Sequence, residues 1–174
     1  METAVKTKWN LDTAHSEIGF KVKHMMISTV TGHFEAFNAT VITETDDFKN
    51  ARFDFKATVA SINTKNTDRD NHLKSNDFFN ADAYPEMTFV STAFDGEKMT
   101  GDLTIRNISK TIVLDVDFNG IAVDPYGQTK AGFEITGAID RKDFGLAWSA
   151  VTEAGSVVVA EQVKLVVDLQ FIQE

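Results

Sequence analysis

Along most of the chain, apolar and polar residues alternate one by one. Ile18, Phe20, Val22 and His24 share one parity, while Glu17, Gly19, Lys21 and Lys23 share the other. Phe53, Phe55, Ala57 and Val59 alternate with Arg52, Asp54, Lys56 and Thr58. Ile112, Leu114, Val116 and Phe118 alternate with Val113, Asp115, Asp117 and Asn119. Near the end, Val163, Leu165, Val167, Leu169 and Phe171 alternate with Lys164, Val166, Asp168 and Gln170. A period of two sends successive side chains to opposite faces, so each run predicts a strand with one apolar face. Weaker runs at 29–43, 86–94, 98–106 and 129–140 bring the expectation to about eight strands.

The second of these runs changes parity. Gly32, Phe34 and Ala36 give way to Phe37, Ala39 and Val41, as a β-bulge near Glu35–Phe37 would produce. Turn residues separate later runs: FDGEK at 94–98, DPYGQ at 124–128 and EAGS at 153–156. Only 66–76 reads as a helix, with Asn66 or Thr67 as its cap, Asp68 and Asp70 in its first turn and Lys74 near its end.

Amphipathic antiparallel strands joined by short turns fit either a sandwich or a closed barrel, and periodicity alone does not separate them. Composition tips the balance. The 174 residues contain 14 Phe against two Trp and two Tyr, which suits a large, dry interior. A barrel of eight strands leaves no edges and can hold one small ligand. Strand parity then points Ile18, Phe20, Val22 and His24 inward, with Phe34, Phe53, Phe55 and Phe89 from the next strands. Leu103, Ile105, Leu114 and Val116 follow, and Phe133, Ile135, Leu165 and Val167 complete the expected lumen.

Charge narrows the partners. A formal net charge of −9 repels a phosphate backbone at long range, so nucleic acid is not an expected partner. The chain has no Cys, which excludes disulfides and thiolate metal sites. Its first residues lack an apolar leader, and no apolar run approaches the roughly 20 residues of a membrane helix. No stable membrane insertion is expected. The expected compartment is the cytoplasm for the chain as it stands, or the periplasm for a truncated mature form.

Residues 66–89, NTDRDNHLKSNDFFNADAYPEMTF, interrupt the strands with a charged and then aromatic insert. A catalytic reading would have Asp70 orient His72 as a base, but residues two apart on a helix do not face each other, and no nucleophile elbow accompanies them. Asp68 and His72 have the spacing of a surface pair, and Arg69 that of an anchor to a carboxylate. The insert is therefore expected to fix a short helix over one barrel end, with Phe78 and Phe79 filling the gap beside it. His24 should point inward near a barrel end. A turn centred on Ser28–Thr29 would set His33 across from it, with Glu35 as the only local third ligand. No metal and no cofactor are expected.

Five stretches carry a family resemblance: WNLDTAHSEIGFKVKHM (9–25), GHFEAFNATV (32–41), TDRDNHLKSNDFFNADAYPEMTF (67–89), GDLTIRNISKTIVLDV (101–116) and IDRKDFGL (139–146). In this order they span nearly the whole chain, which resembles the YceI-like family of bacterial lipocalin-like, polyisoprenoid-binding proteins. Asn107 departs from the pattern, standing where the family usually has Gly. The resemblance implies an all-β fold, an extended eight-stranded antiparallel lipocalin-like barrel with one short helix at about 66–76, and a hydrophobic tunnel. Residues 1–8 would be an N-terminal extension and 9–174 the domain. It further implies a long-chain isoprenoid or fatty amphiphile as partner, and it suggests a homodimer.

The functional expectation is non-catalytic binding, storage or transport of a quinone, polyprenyl compound or similar amphiphile in the lumen. Asn38, Arg69, Asp70, His72, Phe78 and Phe79 are the candidates for contacting its head group or forming a lid. Two alternatives stand beside it: a stress-response interaction module with a filled core, and a lipid hydrolase using Asp70 and His72.

Overall fold

Eleven strands and one α-helix account for the alternating runs in the computed structural model, which describes residues 5–148 and 159–174. The strands are β1 (Thr7–Leu11), β2 (Glu17–His24), β3 (Ser28–Phe34), β4 (Phe37–Thr43), β5 (Arg52–Thr58), β6 (Ile62–Asn63), β7 (Glu86–Phe94), β8 (Lys98–Ile105), β9 (Ile108–Val123), β10 (Thr129–Asp140) and β11 (Val159–Gln173). The helix is α1 (Thr67–Lys74). β1 takes in Thr7 and Lys8, which the sequence reading had assigned to an extension.

Three breaks reduce eleven strands to eight staves. β1 and β2 form one stave interrupted by a 3₁₀ turn at Thr13–His15, and β3 and β4 form another, broken at Glu35–Ala36 where the parity changes. β5 and β6 are separated by a second 3₁₀ turn, Val59–Ser61. The last two breaks face each other: Glu35 N donates to Ser61 O at 3.2 Å and Thr58 N to Ala36 O at 2.9 Å, so backbone bonds join the two bends. All pairings are antiparallel, and β11 closes the barrel by pairing with β10 on one side and with β1 and β2 on the other. The fold is an eight-stranded closed antiparallel barrel with one short helix. The EAGS turn expected at 153–156 lies outside the described residues.

Two tight turns were not placed by sequence. The β2–β3 hairpin turns at Met25–Ile27, with φ of 52° and 59° at Met25 and Met26. His24 therefore pairs with Ser28, and His33 pairs with Gly19 well down the hairpin. The anticipated approach of His24 and His33 does not occur, because the turn comes three residues earlier than Ser28–Thr29. The β8–β9 turn is Arg106–Asn107, both at positive φ (53° and 59°), the conformation favoured in two-residue hairpins. Asn107 meets that demand, because Asn tolerates the left-handed region better than most residues.

One barrel end is shut by aromatic packing. Phe48, on the polar loop between β4 and β5, is fully buried with φ of 60°. Its ring lies 5.2 Å from Trp9, 5.1 Å from Phe118 and 5.1 Å from Phe133. Phe53 extends the cluster towards Phe94 (5.5 Å) and Phe171 (6.2 Å). Tilted and edge-on arrangements dominate, the geometry the ring quadrupole favours. In the barrel wall, Gly101 makes room for another ring: a Cβ there would stand 2.5 Å from Phe89 Cζ and 2.6 Å from Val90 O.

Candidate functional site

Between the Phe48 plug and the opposite end, the inward faces line a cavity of about 180 Å³. Its floor includes Phe53 and Phe171, its walls Phe55, Phe89, Leu114, Ile135 and Leu165, and its far end Leu73, Phe79, Arg141 and Leu146. Strand parity anticipated thirteen of these positions: Ile18, Phe20, Val22, Phe34, Phe53, Phe55, Phe89, Leu103, Ile105, Leu114, Ile135, Leu165 and Val167 all border the cavity. Three expected lumen residues do not. Phe133 is consumed by the aromatic plug, Val116 is buried without reaching the space, and His24 sits at the hairpin end, half-buried. Parity gives the facing of a side chain but not its height along the barrel, and height decides whether it meets plug or cavity. Asn38 lies outside altogether. The break at Glu35–Ala36 turns it to the outer surface, where it pairs in register with Lys56.

The insert at 66–89 covers the cavity's far end. α1 starts at Asn66, whose Oδ1 accepts from Arg69 N at 2.9 Å. Thr64, 3% exposed, anchors it. Asp70 Oδ1 accepts from Thr64 N at 2.9 Å and from Thr64 Oγ1 at 2.5 Å, while Arg69 donates to Thr64 Oγ1 at 2.8 Å and to Thr64 O at 2.6 Å. Arg69 thus anchors the helix through a threonine and not through the carboxylate anticipated. His72 does not pair with Asp68 either; its Nε2 lies 2.8 Å from Asp77 Oδ2, since the chain folds back after α1. Its ring stands edge-on to Phe78 (5.1 Å) and Trp148 (4.9 Å). Asp70 and His72 therefore each serve a separate local contact.

One arginine ties the lid down and a second lies beside it. Arg106, in the β8–β9 turn, donates to Phe78 O and Gly145 O, both at 2.9 Å. Arg141 opens a 3₁₀ turn, Arg141–Phe144, that ends at Gly145 with φ of 77°. It is 3% exposed and donates to four backbone carbonyls, those of Ala160, Leu146, Trp148 and Val159. Sequence reasoning did not single out Arg141, because a polar run such as RKD reads as surface. Phe48 was missed for the same reason, its one signal being a lone Phe in the polar loop TETDDFKN. Among the described residues no cluster of three or more His, Asp or Glu could hold a metal. None of the described helices is long and apolar enough to cross a membrane.

An eight-stranded barrel wrapped around an apolar cavity, with a short helix over one end, defines a lipocalin-like protein. The YceI-like domain matches residues 9–171, and the chain belongs to that family. A UPF0312 protein of Staphylococcus aureus (strain MSSA476) is 38% identical over 166 residues, covering 95% of this chain and 97% of the relative. The crystal structure of a Campylobacter jejuni YCEI protein superposes with a TM-score of 0.72 at 37% identity, covering 100% of this chain and 99% of the other. A polyisoprenoid-binding domain from Saccharophagus degradans, implicated in plant cell wall breakdown, shares the fold with a TM-score of 0.72 at 13% identity, covering 95% and 98%.

Proposed function

We propose that the protein binds an isoprenoid or similar long-chain amphiphile in the barrel lumen and stores or carries it without chemistry on the tail. The observation that carries this reading is the cavity inside the barrel, whose walls are almost wholly aliphatic and aromatic. The description of the Saccharophagus degradans domain as polyisoprenoid-binding supports the same ligand class.

Energetics favour a carrier. Each buried CH₂ gains roughly 0.8 kcal/mol over water, so an isoprene unit gains about 3–4 kcal/mol. Such tails rest in membranes, already away from water, and transfer into the barrel is close to neutral. Fit and polar contacts then set selectivity. The cavity of about 180 Å³ is comparable to engineered apolar cavities that admit benzene, near the size of one isoprene unit. A longer tail requires side chains to move, and Met87 and Met99 in the lining are suited to that.

This modest volume also favours a second reading, a filled-core interaction module, since ligand pockets commonly exceed about 300 Å³. Native mass spectrometry of protein purified without detergent, with extraction of bound lipid, tests the two. A stoichiometric long-chain amphiphile is expected. An empty protein that also fails to take up added quinone would overturn lumen binding and leave the filled core.

A further inference from the structure

We propose that the tip of the β2–β3 hairpin, Met25–Met26–Ile27, with Lys21, Lys23 and Lys164 at its base, docks the protein reversibly on an anionic phospholipid bilayer. This goes beyond the lumen-binding reading and does not depend on it.

The tip is built against ordinary turn chemistry. Met25 and Met26 are both left-handed, with φ of 52° and 59°, a backbone that hairpin turns usually give to Gly, Asn or Asp. Their side chains and that of Ile27 nonetheless stand in water: Met25 is 37% exposed, Met26 64% and Ile27 83%. A turn that only reversed the chain would gain nothing from three apolar residues here. The turn also holds its own shape, since Ile27 N donates to His24 O at 3.2 Å and Ser28 Oγ to the same carbonyl at 3.4 Å. Two flexible thioethers and an isoleucine on such a turn can enter the head-group region without opening backbone bonds.

Charge selects the partner. The chain carries 26 Asp and Glu, yet residues 18–34 contain none, so the hairpin is a basic stretch in an acidic protein. Lys21 and Lys23 are exposed on the outer face of β2, and Lys21 stands in register with the exposed Lys164 of β11. Like charges opposite each other in a sheet are unfavourable on their own and favourable beside an anionic surface. Glu161, the acid at this end of β11, is paired with Lys142 Nζ at 2.8 Å. The formal charge of −9 does not prevent docking. At about 0.15 M salt the Debye length is about 8 Å, so distant acids are screened while lysines at the contact are not.

A second apolar tip provides the contrast. In the β9–β10 turn Val123 and Tyr126 are exposed, but Asp124 lies between them, and further down the outer face Asp117 stands in register with Glu134. Both tips expose apolar side chains, and the charge behind them is opposite in sign.

The position of the first tip gives docking a use. Val159, in register with His24, accepts from Arg141 Nη2 at 3.2 Å, so the hairpin rises from the lid end of the barrel. β3 pairs with β6 only at His33 and Phe34, and the half-buried Phe20, Val22, Leu73 and Phe79 line the cavity on this side. A bilayer held by the tip therefore faces the end of the barrel that α1 covers.

Co-sedimentation of the full chain with vesicles at about 0.15 M salt tests the surface. Vesicles of phosphatidylcholine mixed with phosphatidylglycerol should bind the protein, and vesicles of phosphatidylcholine alone should bind it roughly tenfold more weakly. Met26→Ser combined with Ile27→Ser should weaken binding to the mixed vesicles by roughly tenfold, and Lys21→Gln combined with Lys23→Gln by about the same factor. Val123→Ser, at the other tip, should change nothing. Because the chain has no Cys, a polarity-sensitive dye on Ile27→Cys reports the tip alone. Its emission should shift to the blue with mixed vesicles, and the same dye on Val123→Cys should not. Absence of binding to mixed vesicles, equal binding to both kinds, or binding indifferent to the tip substitutions would overturn the proposal. Uptake of a lipid tail into the lumen by itself would leave binding indifferent to the tip, so failure of docking is told apart from failure of lumen binding.

Discussion

Arg106 Nη1 stands 2.9 Å from both Phe78 O and Gly145 O, so one guanidinium joins the β8–β9 turn to the segment after α1 and to the Arg141–Phe144 turn. It is thereby a latch across the lid. Replacing it with Met keeps the stem and removes the donors. Arg106→Met should lower stability by about 1–3 kcal/mol and speed ligand release, because two carbonyls lose a charged partner. Amide exchange at residues 75–85 reads the local effect. Unchanged protection there would show that the latch is not needed.

The Phe48 plug should be the larger contribution to stability. Its ring is fully buried among Trp9, Phe118 and Phe133, and truncation leaves a cavity the neighbours only partly fill. Phe48→Ala is expected to cost about 3–5 kcal/mol in a denaturant titration. The same substitution extends the cavity floor, and longer tails should be accepted relative to short ones.

Gly101 tests packing without chemistry. An added methyl would meet Phe89 Cζ at 2.5 Å, which can turn, and Val90 O at 2.6 Å, which cannot. Gly101→Ala should therefore destabilise by about 1–3 kcal/mol. Thermal unfolding of this variant measures it directly, and a neutral result would mean that β7 and β8 separate more easily than their pairing suggests.

Acid stability should depend on Asp12. Its Oδ2 accepts from Lys130 Nζ at 2.8 Å, and that hydrogen bond is the main reason its pKa lies below the usual carboxylate value; His15 adds to the effect and burial opposes it. A depressed folded-state pKa contributes stability above the unfolded value of about 3.9. That contribution fades as pH falls from there through the lower folded value. Lys130→Met should raise the Asp12 pKa and move the acid unfolding midpoint to higher pH. Carboxyl NMR titration of both proteins checks the first effect, and circular dichroism against pH the second.

Strand existence was legible because burial on one face of a sheet writes itself into every second residue. The β3–β4 break was legible too, as a parity change at Glu35–Phe37, and so was the cap of α1 to within one residue, the structure choosing Asn66 over Thr67. The site was legible only in part. Ile18 and Phe89 were found because they face inward, while Phe133 faces inward equally and belongs to the plug. Arg141 and Phe48 escaped because residues in polar, irregular segments carry no periodic signal.

By itself, then, the sequence determined an all-β chain, its facing residues, one break in parity, one capped helix and an acidic surface. These are local properties, set by side-chain alternation, capping and charge. Tertiary structure alone decided which end of the barrel Phe48 fills, how Thr64 and Arg106 hold the lid, and that Arg141 is buried against four backbone carbonyls. Those outcomes depend on contacts between residues distant along the chain, such as Arg106 with Phe78 and Phe48 with Phe133, which appear only once the barrel has closed.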